Sequence, residues 1–199
     1  MERQMKIIIA GASGFIGRAL TKKWTAQGNE ILAVGRSKKR LSEALGTSVK
    51  VLDWQDIAED AGDLVDTIDV IVNLAGAGVA DGLWTKDRKK EILQSRVKST
   101  QTLAAFAAKG QKKKRTLLNA SAIGIYGLHK NNPDGTPLVF DEHAPVGRGQ
   151  DSFLAQVCRQ WEEETKRLSL MGVRVVNLRF GMILSPKGGA LKKMIPPFQ

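Results

Sequence analysis

The stretch IIIAGASGFIGRAL, Ile7 to Leu20, decides how the rest of the chain is read. Three consecutive isoleucines predict a strand, and Gly11, Gly14 and Gly17 follow at three-residue spacing. Ile16, Leu20 and Trp24 then repeat four apart until Gly28, the pattern of a helix from Gly14 to Gln27. Glycines between a strand and a helix let the backbone turn sharply, approach a pyrophosphate and pack helix on strand. The helix N-terminus then offers N–H donors and the positive end of its dipole. The spacing alone is a weak signal; the strand before it and the amphipathic helix after it supply the confirming context. Gly11, Ser13, Gly14, Phe15, Ile16 and Gly17 are therefore candidate dinucleotide contacts.

Working outward, short runs rich in Ile, Val and Leu alternate with longer helical patterns. The predicted strands are Lys6–Ala10, Glu30–Val34, Val49–Leu52, Asp69–Leu74, Arg115–Ala120 and Arg174–Leu178. They show little polar alternation, as expected of strands buried on both faces. Long helices are predicted over Thr85–Ala108, with Ile92, Leu93, Val97, Leu103 and Phe106 inward, and over about Asp151–Met171. The expected fold class is α/β, a doubly wound parallel sheet of the Rossmann type. The Pro- and Gly-rich stretch Asn131–Gly149 reads as a surface loop within a single domain.

The second strand ends in AVGRS. Folds that select NAD place an acid about 20 residues beyond the glycines to bind the ribose 2′-hydroxyl. Arg36 and Ser37 stand there instead. A guanidinium can grip a 2′-phosphate that a carboxylate would repel, so the expected cofactor is NADP rather than NAD. The bland alternative is a surface arginine at a strand end. Asp53, Leu74, Ala75 and Gly76 follow the third and fourth strands, where ligands of such sheets collect. Asp53 reads equally as an acceptor for the adenine amino group or as a loop cap.

With 199 residues, 42% hydrophobic and 26% charged, the composition is that of an ordinary soluble protein. No apolar run approaches the roughly 20 residues of a membrane span. The start MERQMK has no signal-peptide pattern, and one cysteine rules out an internal disulfide; cytoplasmic location is the expectation. The net charge of +11 raises the question of nucleic acid. The basic residues are scattered in pairs and short runs, including Lys112 to Arg115, without a binding motif, so a nucleic-acid partner is disfavoured.

Further segments, VNLAGAGVADGLWTKDRKKEILQSRVKST, SAIGIYG, FLAQVCRQWEEE and GVRVVNLRFGMILSPKGGALKKMIPPF, together resemble the extended short-chain dehydrogenase/reductase superfamily. More narrowly they are similar to its atypical epimerase family, whose members are described as sugar-nucleotide epimerase-like or cell-division-inhibitor-like. The resemblance implies hydride transfer on a carbonyl or sugar-nucleotide-like substrate and cofactor contacts from the glycine loop, Arg36, Leu74 and Ala75, with Glu91 and Arg96 added on the long helix. The spacing of those two puts them near, not on, a common face, and an exposed ion pair is the alternative. The resemblance also implies a longer chain whose C-terminal part closes over a small-molecule substrate, so residues 182–199 are expected to begin a substrate lobe that is otherwise absent. The long helix is a candidate surface for pairing with a second copy.

Active relatives carry a tyrosine and a lysine four residues apart on the helix after the fifth strand. Here the matching pairs are Ser152/Gln156, Phe153/Val157 and Leu154/Cys158, none of which offers a phenol or an amine. Tyr126 and Lys130 have the spacing but are followed by turn chemistry, NNPDG, so the match reads as coincidence and Tyr126 as a residue lining the cleft. The resemblance gives Ser121 the position of a carbonyl-polarising hydroxyl; a turn serine is the alternative. Cys158 falls in an apolar helical set and reads as a buried structural thiol. His129 and His143 have no metal-ligand spacing, and no metal is expected. Glu162 to Glu164 point in different directions on a helix and read as a solvated acidic stripe, with Glu162 facing the cleft as the alternative. The sequence assigns no catalytic residue. It leaves two functions open, an NADP-dependent oxidoreductase or epimerase, and a dinucleotide-binding sensor or scaffold without turnover.

Overall fold

Alternating isoleucines explain the layers. Ile8 and Ala10 of β1 (Lys6–Ala10), with Leu32 and Val34 of β2 (Glu30–Gly35), bury one face; Ile7, Ile9, Ile31 and Ala33 bury the other. The computed structural model describes residues 3–60, 63–111, 115–127, 131–132, 134–146, 152–186 and 188–195. Within them, β3 (Lys50–Asp53), β4 (Val70–Asn73), β5 (Thr116–Ala122) and β6 (Arg174–Phe180) complete a six-stranded sheet of order β3-β2-β1-β4-β5-β6, every pair parallel. The order reverses between β1 and β4, which opens a crevice at the carboxyl ends of those two strands.

The odd-numbered isoleucine face packs against α1 (Phe15–Ala26) and α2 (Lys38–Leu45), through Leu20, Trp24, Leu41 and Leu45. The even-numbered face packs against α3 (Trp54–Glu59), α4 (Asp63–Asp66), α5 (Lys86–Lys109) and α6 (Phe153–Leu170), through Ile57, Val65, Leu103, Phe106 and Leu168. Ile92, Val97, Leu103 and Phe106 of α5 are buried as the periodicity predicts, whereas Leu93 is only half-buried.

All six predicted strands form, with ends moved by one or two residues. The short helices α2, α3 and α4 were not in the sequence reading. Each spans eight residues or fewer, too little for a periodic signal, and α2 and α3 begin at side-chain caps, Ser37 and Asp53. A 3-10 turn, Ile123–Tyr126, a two-residue β7 (Leu184–Ser185) and α7 (Gly189–Met194) are further additions. The expected helix start at Asp151 lies outside the described residues, as do His129, Lys130 and Lys112 to Lys114.

Candidate dinucleotide site

The glycine loop is built by exclusion. Gly11 adopts φ +79°, and a Cβ there would stand 2.7 Å from the Leu74 carbonyl oxygen. A Cβ on Gly17 would stand 2.3 Å from the Gly11 carbonyl oxygen. Both neighbours are backbone, so neither can yield cheaply. Gly14 caps α1 without a side chain, the first turn holds no acid, and the first intrahelical bond runs from Arg18 N–H to Gly14 O at 2.9 Å. The amides of Phe15, Ile16 and Gly17 precede that bond, so the positive end of a 12-residue helix opens uncapped at the switch point.

Beside it lies a cleft of about 580 Å³. Of the residues expected at the cofactor, Gly11, Ser13, Gly14, Arg36, Leu74, Ala75, Gly76 and Glu91 line it; Phe15, Ile16, Gly17, Ser37, Asp53 and Arg96 do not. Apart from Glu91, no sequence motif marks the far wall. Glu91, Gln94, Ser95, Lys98, Ser99 and Thr102 form one polar stripe on α5, and Trp54 adds an aromatic surface near the end of β3. The signal was present in the three- and four-residue spacing of those polar side chains between the inward apolar ones.

At the end of β2 the charges divide sharply. Arg36 is exposed, with no ion pair or hydrogen bond to any described residue. Ser37 accepts from Arg40 N–H as the cap of α2. Asp53 is the cap of α3: its Oδ1 accepts from Gln55 and Asp56 N–H at 3.0 Å, and its own N–H donates to Asp56 Oδ2 at 2.8 Å. Lys38 bridges Asp53 and Asp56, and its hydrogen bond holds the Asp56 carboxyl below the usual range. Asp53 and Asp56, at the end of the neighbouring strand β3, thus share Lys38 as their ion-pair partner.

The cleft's inner wall hangs on a buried polar ladder. Asn73, Asn119 and Asn177 stand in register across β4, β5 and β6. Asn73 Nδ2 donates to Thr100 Oγ1 and Asn119 Oδ1, each at 2.9 Å, while its Oδ1 accepts from Ala75 N–H at 3.2 Å. Asn119 donates onward to Asn177, and Trp161 Nε1 donates to Thr100. This pins the backbone at Leu74–Ala75. Arg96 supports the same loop from beneath, its Nη1 donating to Ala77 O at 3.0 Å and Ile92 O at 2.9 Å, with the guanidinium 5.1 Å from the centroid of Trp161. The ion pair considered for Glu91 and Arg96 does not form; Glu91 pairs with Arg88 at 2.6 Å.

A second polar cluster closes the end of β5. Ser121 Oγ donates to Glu162 Oε1 at 2.6 Å, and Arg179 grips both Glu162 oxygens at 3.0 Å. Arg179 Nη1 donates to Tyr126 Oη at 2.9 Å, and Tyr126 donates to Asp141 O at 2.8 Å while stacking on Phe140. The hydrogen bonds it donates to Glu162 hold the Arg179 guanidinium above its ordinary pKa. Two expectations are corrected here. Glu162 is no solvated stripe, its side chain being 12% exposed, because this turn of α6 faces β6. Ser121, 2% exposed, spends its proton on Glu162 rather than on a carbonyl in the cleft. Tyr126 ends the 3-10 turn and is buried. Cys158 is buried, and desolvation pushes its thiol up, which fits the structural reading. Among the described residues, no helix is long and apolar enough to cross a membrane, and no group of three or more His, Cys, Asp or Glu side chains could hold a metal ion.

A doubly wound parallel sheet with a glycine loop at its switch point defines the Rossmann-type α/β class. The NAD dependent epimerase/dehydratase family matches residues 7–198, and this chain belongs to that family. An epimerase family protein of Mycobacterium bovis is 37% identical over 192 residues, covering 96% of this chain and 58% of its own length. The epimerase family protein YfhF of Bacillus subtilis is 33% identical over 195 residues, covering 98% of this chain and 60% of its own. The chain thus spans about three-fifths of the length of these relatives. Among solved structures, the human epimerase family protein SDR39U1 with NADPH is 27% identical, with a TM-score of 0.79 over 98% of this chain and 59% of that one.

Proposed function

We propose that this chain binds a nicotinamide dinucleotide across the β1–β4 crevice, and NADP(H) in preference to NAD(H). The observation that carries the reading is an uncapped helix N-terminus and an Arg36 with no partner among the described residues, at one cleft where Asp53 and Asp56 are paired with Lys38 instead. The fit is supported on three counts. The Gly11 and Gly17 positions exclude a side chain, the cleft volume falls in the range of small-ligand sites, and the human relative's structure contains NADPH. The amides of Ser13 and Phe15 to Gly17 would take the pyrophosphate. Arg36 and Ser37 would take the 2′-phosphate, with Leu74, Ala75 and Gly76 along the inner wall and Glu91 on the far wall. Asp53 would act by fixing Trp54 beside the adenine. The segment from Met182 would begin the part that closes over substrate; its Gly188 leaves no room for a Cβ beside the Phe15 ring.

When bound, the nicotinamide supplies or accepts a hydride at a carbonyl carbon. What the chain's own residues would add is a proton donor, and here a second reading has specific support. The hydroxyls of Ser121 and Tyr126 are both committed to protein acceptors, and none of the pairs Ser152/Gln156, Phe153/Val157 and Leu154/Cys158 on α6 offers a phenol or an amine. This favours binding without turnover, as in a sensor or scaffold, over an epimerase or oxidoreductase.

Titration with NADPH and NADH, followed by thermal unfolding, tests the binding. A cofactor at 100 times its dissociation constant should add about 2.7 kcal/mol of stability. Equal stabilisation by both would remove the NADP preference, and none by either would remove the function. NADPH oxidation across a panel of aldehydes and ketones separates the two readings: binding without turnover is expected, and turnover would restore the enzyme.

A further inference from the structure

Arg96 breaks the pairing that other sheltered arginines obey. Arg115, Arg88 and Arg179, with side chains 1%, 18% and 21% exposed, each meet a carboxylate: Asp66, Glu91 and Glu162. Arg96, half-buried under the β4–α5 loop, meets none among the described residues. Buried charges are ordinarily paired. Desolvation pushes this guanidinium's pKa down, and repulsion from Arg88 adds to it.

Its donors divide into a spent edge and a free one. Nη1 serves the Ala77 and Ile92 carbonyls. Nε and Nη2 donate to no described atom, and neither is among the fully buried polar atoms left without a partner, so that edge still meets water. Trp161 lies against the guanidinium and fixes its plane. Gly76, Ala77 and Ser95, its neighbours in space or sequence, line the dinucleotide cleft, and a Cβ on Gly76 would stand 3.0 Å from Arg96 Cζ. On α6 its neighbour is Cys158, whose thiol burial keeps un-ionised, so it supplies no counter-charge.

We propose that the Nε–Nη2 edge of Arg96 recognises a carboxylate on a small molecule held beside the dinucleotide, which makes the substrate or effector class a carboxylic acid. Two parallel N–H donors in one plane match the two oxygens of a carboxylate, and the ligand supplies the counter-charge that the protein withholds. The role rests on the dinucleotide reading above and replaces a cofactor contact for Arg96 with a substrate contact.

The test uses glycolate and its neutral isostere glycolamide as probes, with saturation-transfer NMR on protein saturated with NADP⁺. Glycolate should bind about tenfold more tightly than glycolamide, the difference expected of a charge-assisted pair. Arg96→Gln, likewise saturated with NADP⁺, should abolish that difference. Arg96→Lys, which keeps the charge and loses the fork, should retain part of it. Equal binding of the two probes to the unaltered protein would overturn the proposal without need of a variant. So would an Arg96→Gln protein that keeps its discrimination. If NADPH itself does not bind, the reading of the cleft has failed first, and the two failures are told apart.

Discussion

The carboxyl ends of β1 and β5 are built from similar materials and put them to opposite use. At β1 the helix amides are uncapped, Arg36 has no partner among the described residues, and Asp53 and Asp56 are held by Lys38 and by their own helix cap. At β5 every polar group is spent on another: Ser121 on Glu162, Glu162 on Arg179, Arg179 on Tyr126, Tyr126 on the Asp141 carbonyl. Unspent donors around a cleft await a ligand, whereas a closed circuit of donors and acceptors holds the fold. On the function proposed above, the β1 end is where the dinucleotide lies, and the hydrogen-bonded chain at the β5 end serves the fold.

The contrast is broken or sharpened by substitution. Glu162→Ala should have the largest effect, about 3 kcal/mol of stability, because it strands Arg179 behind β6. NADPH affinity of the folded variant should be unchanged; a parallel loss of binding, read by calorimetry, would make the β5 end part of the ligand site. Gly17→Ala should cost about 2 kcal/mol by forcing a methyl group against the Gly11 carbonyl, and here binding should vanish together with stability. Arg36→Asp should leave the unfolding midpoint unmoved and weaken NADPH by about 1.5 kcal/mol, somewhat over tenfold, with little change for NADH. Equal losses for the two cofactors would return Arg36 to an ordinary surface residue. Tyr126→Phe should cost about 1 kcal/mol, the loss of the hydroxyl between Asp141 and Arg179, and should leave any NADPH oxidation untouched. A tyrosine that donated the catalytic proton would instead abolish it.

How much of this was legible in sequence depended on whether the determinants lie close along the chain. Strands buried on both faces announce themselves as apolar runs, so β1 to β6 could be read; α3 exists because Asp53 and Asp56 cap it, and six residues carry no period. The glycine loop was legible because its three constraints fall within seven consecutive residues. The clamp was not. Ser121 and Glu162 are 41 positions apart and Glu162 and Arg179 are 17 apart, and only the β5–β6 register, which sets Ser121 against Arg179, brings the three together. The asparagine ladder is hidden for the same reason, with one residue on each of three strands.

Backbone amide NMR during an NADPH titration tests the central claim most directly. The account predicts that the resonances of Ser13 to Gly17 and Leu74 to Ala77 move most, while those of Ser121 and Glu162 stay nearly in place. Saturating NADPH that leaves the Ser13 to Gly17 amides unmoved would contradict it.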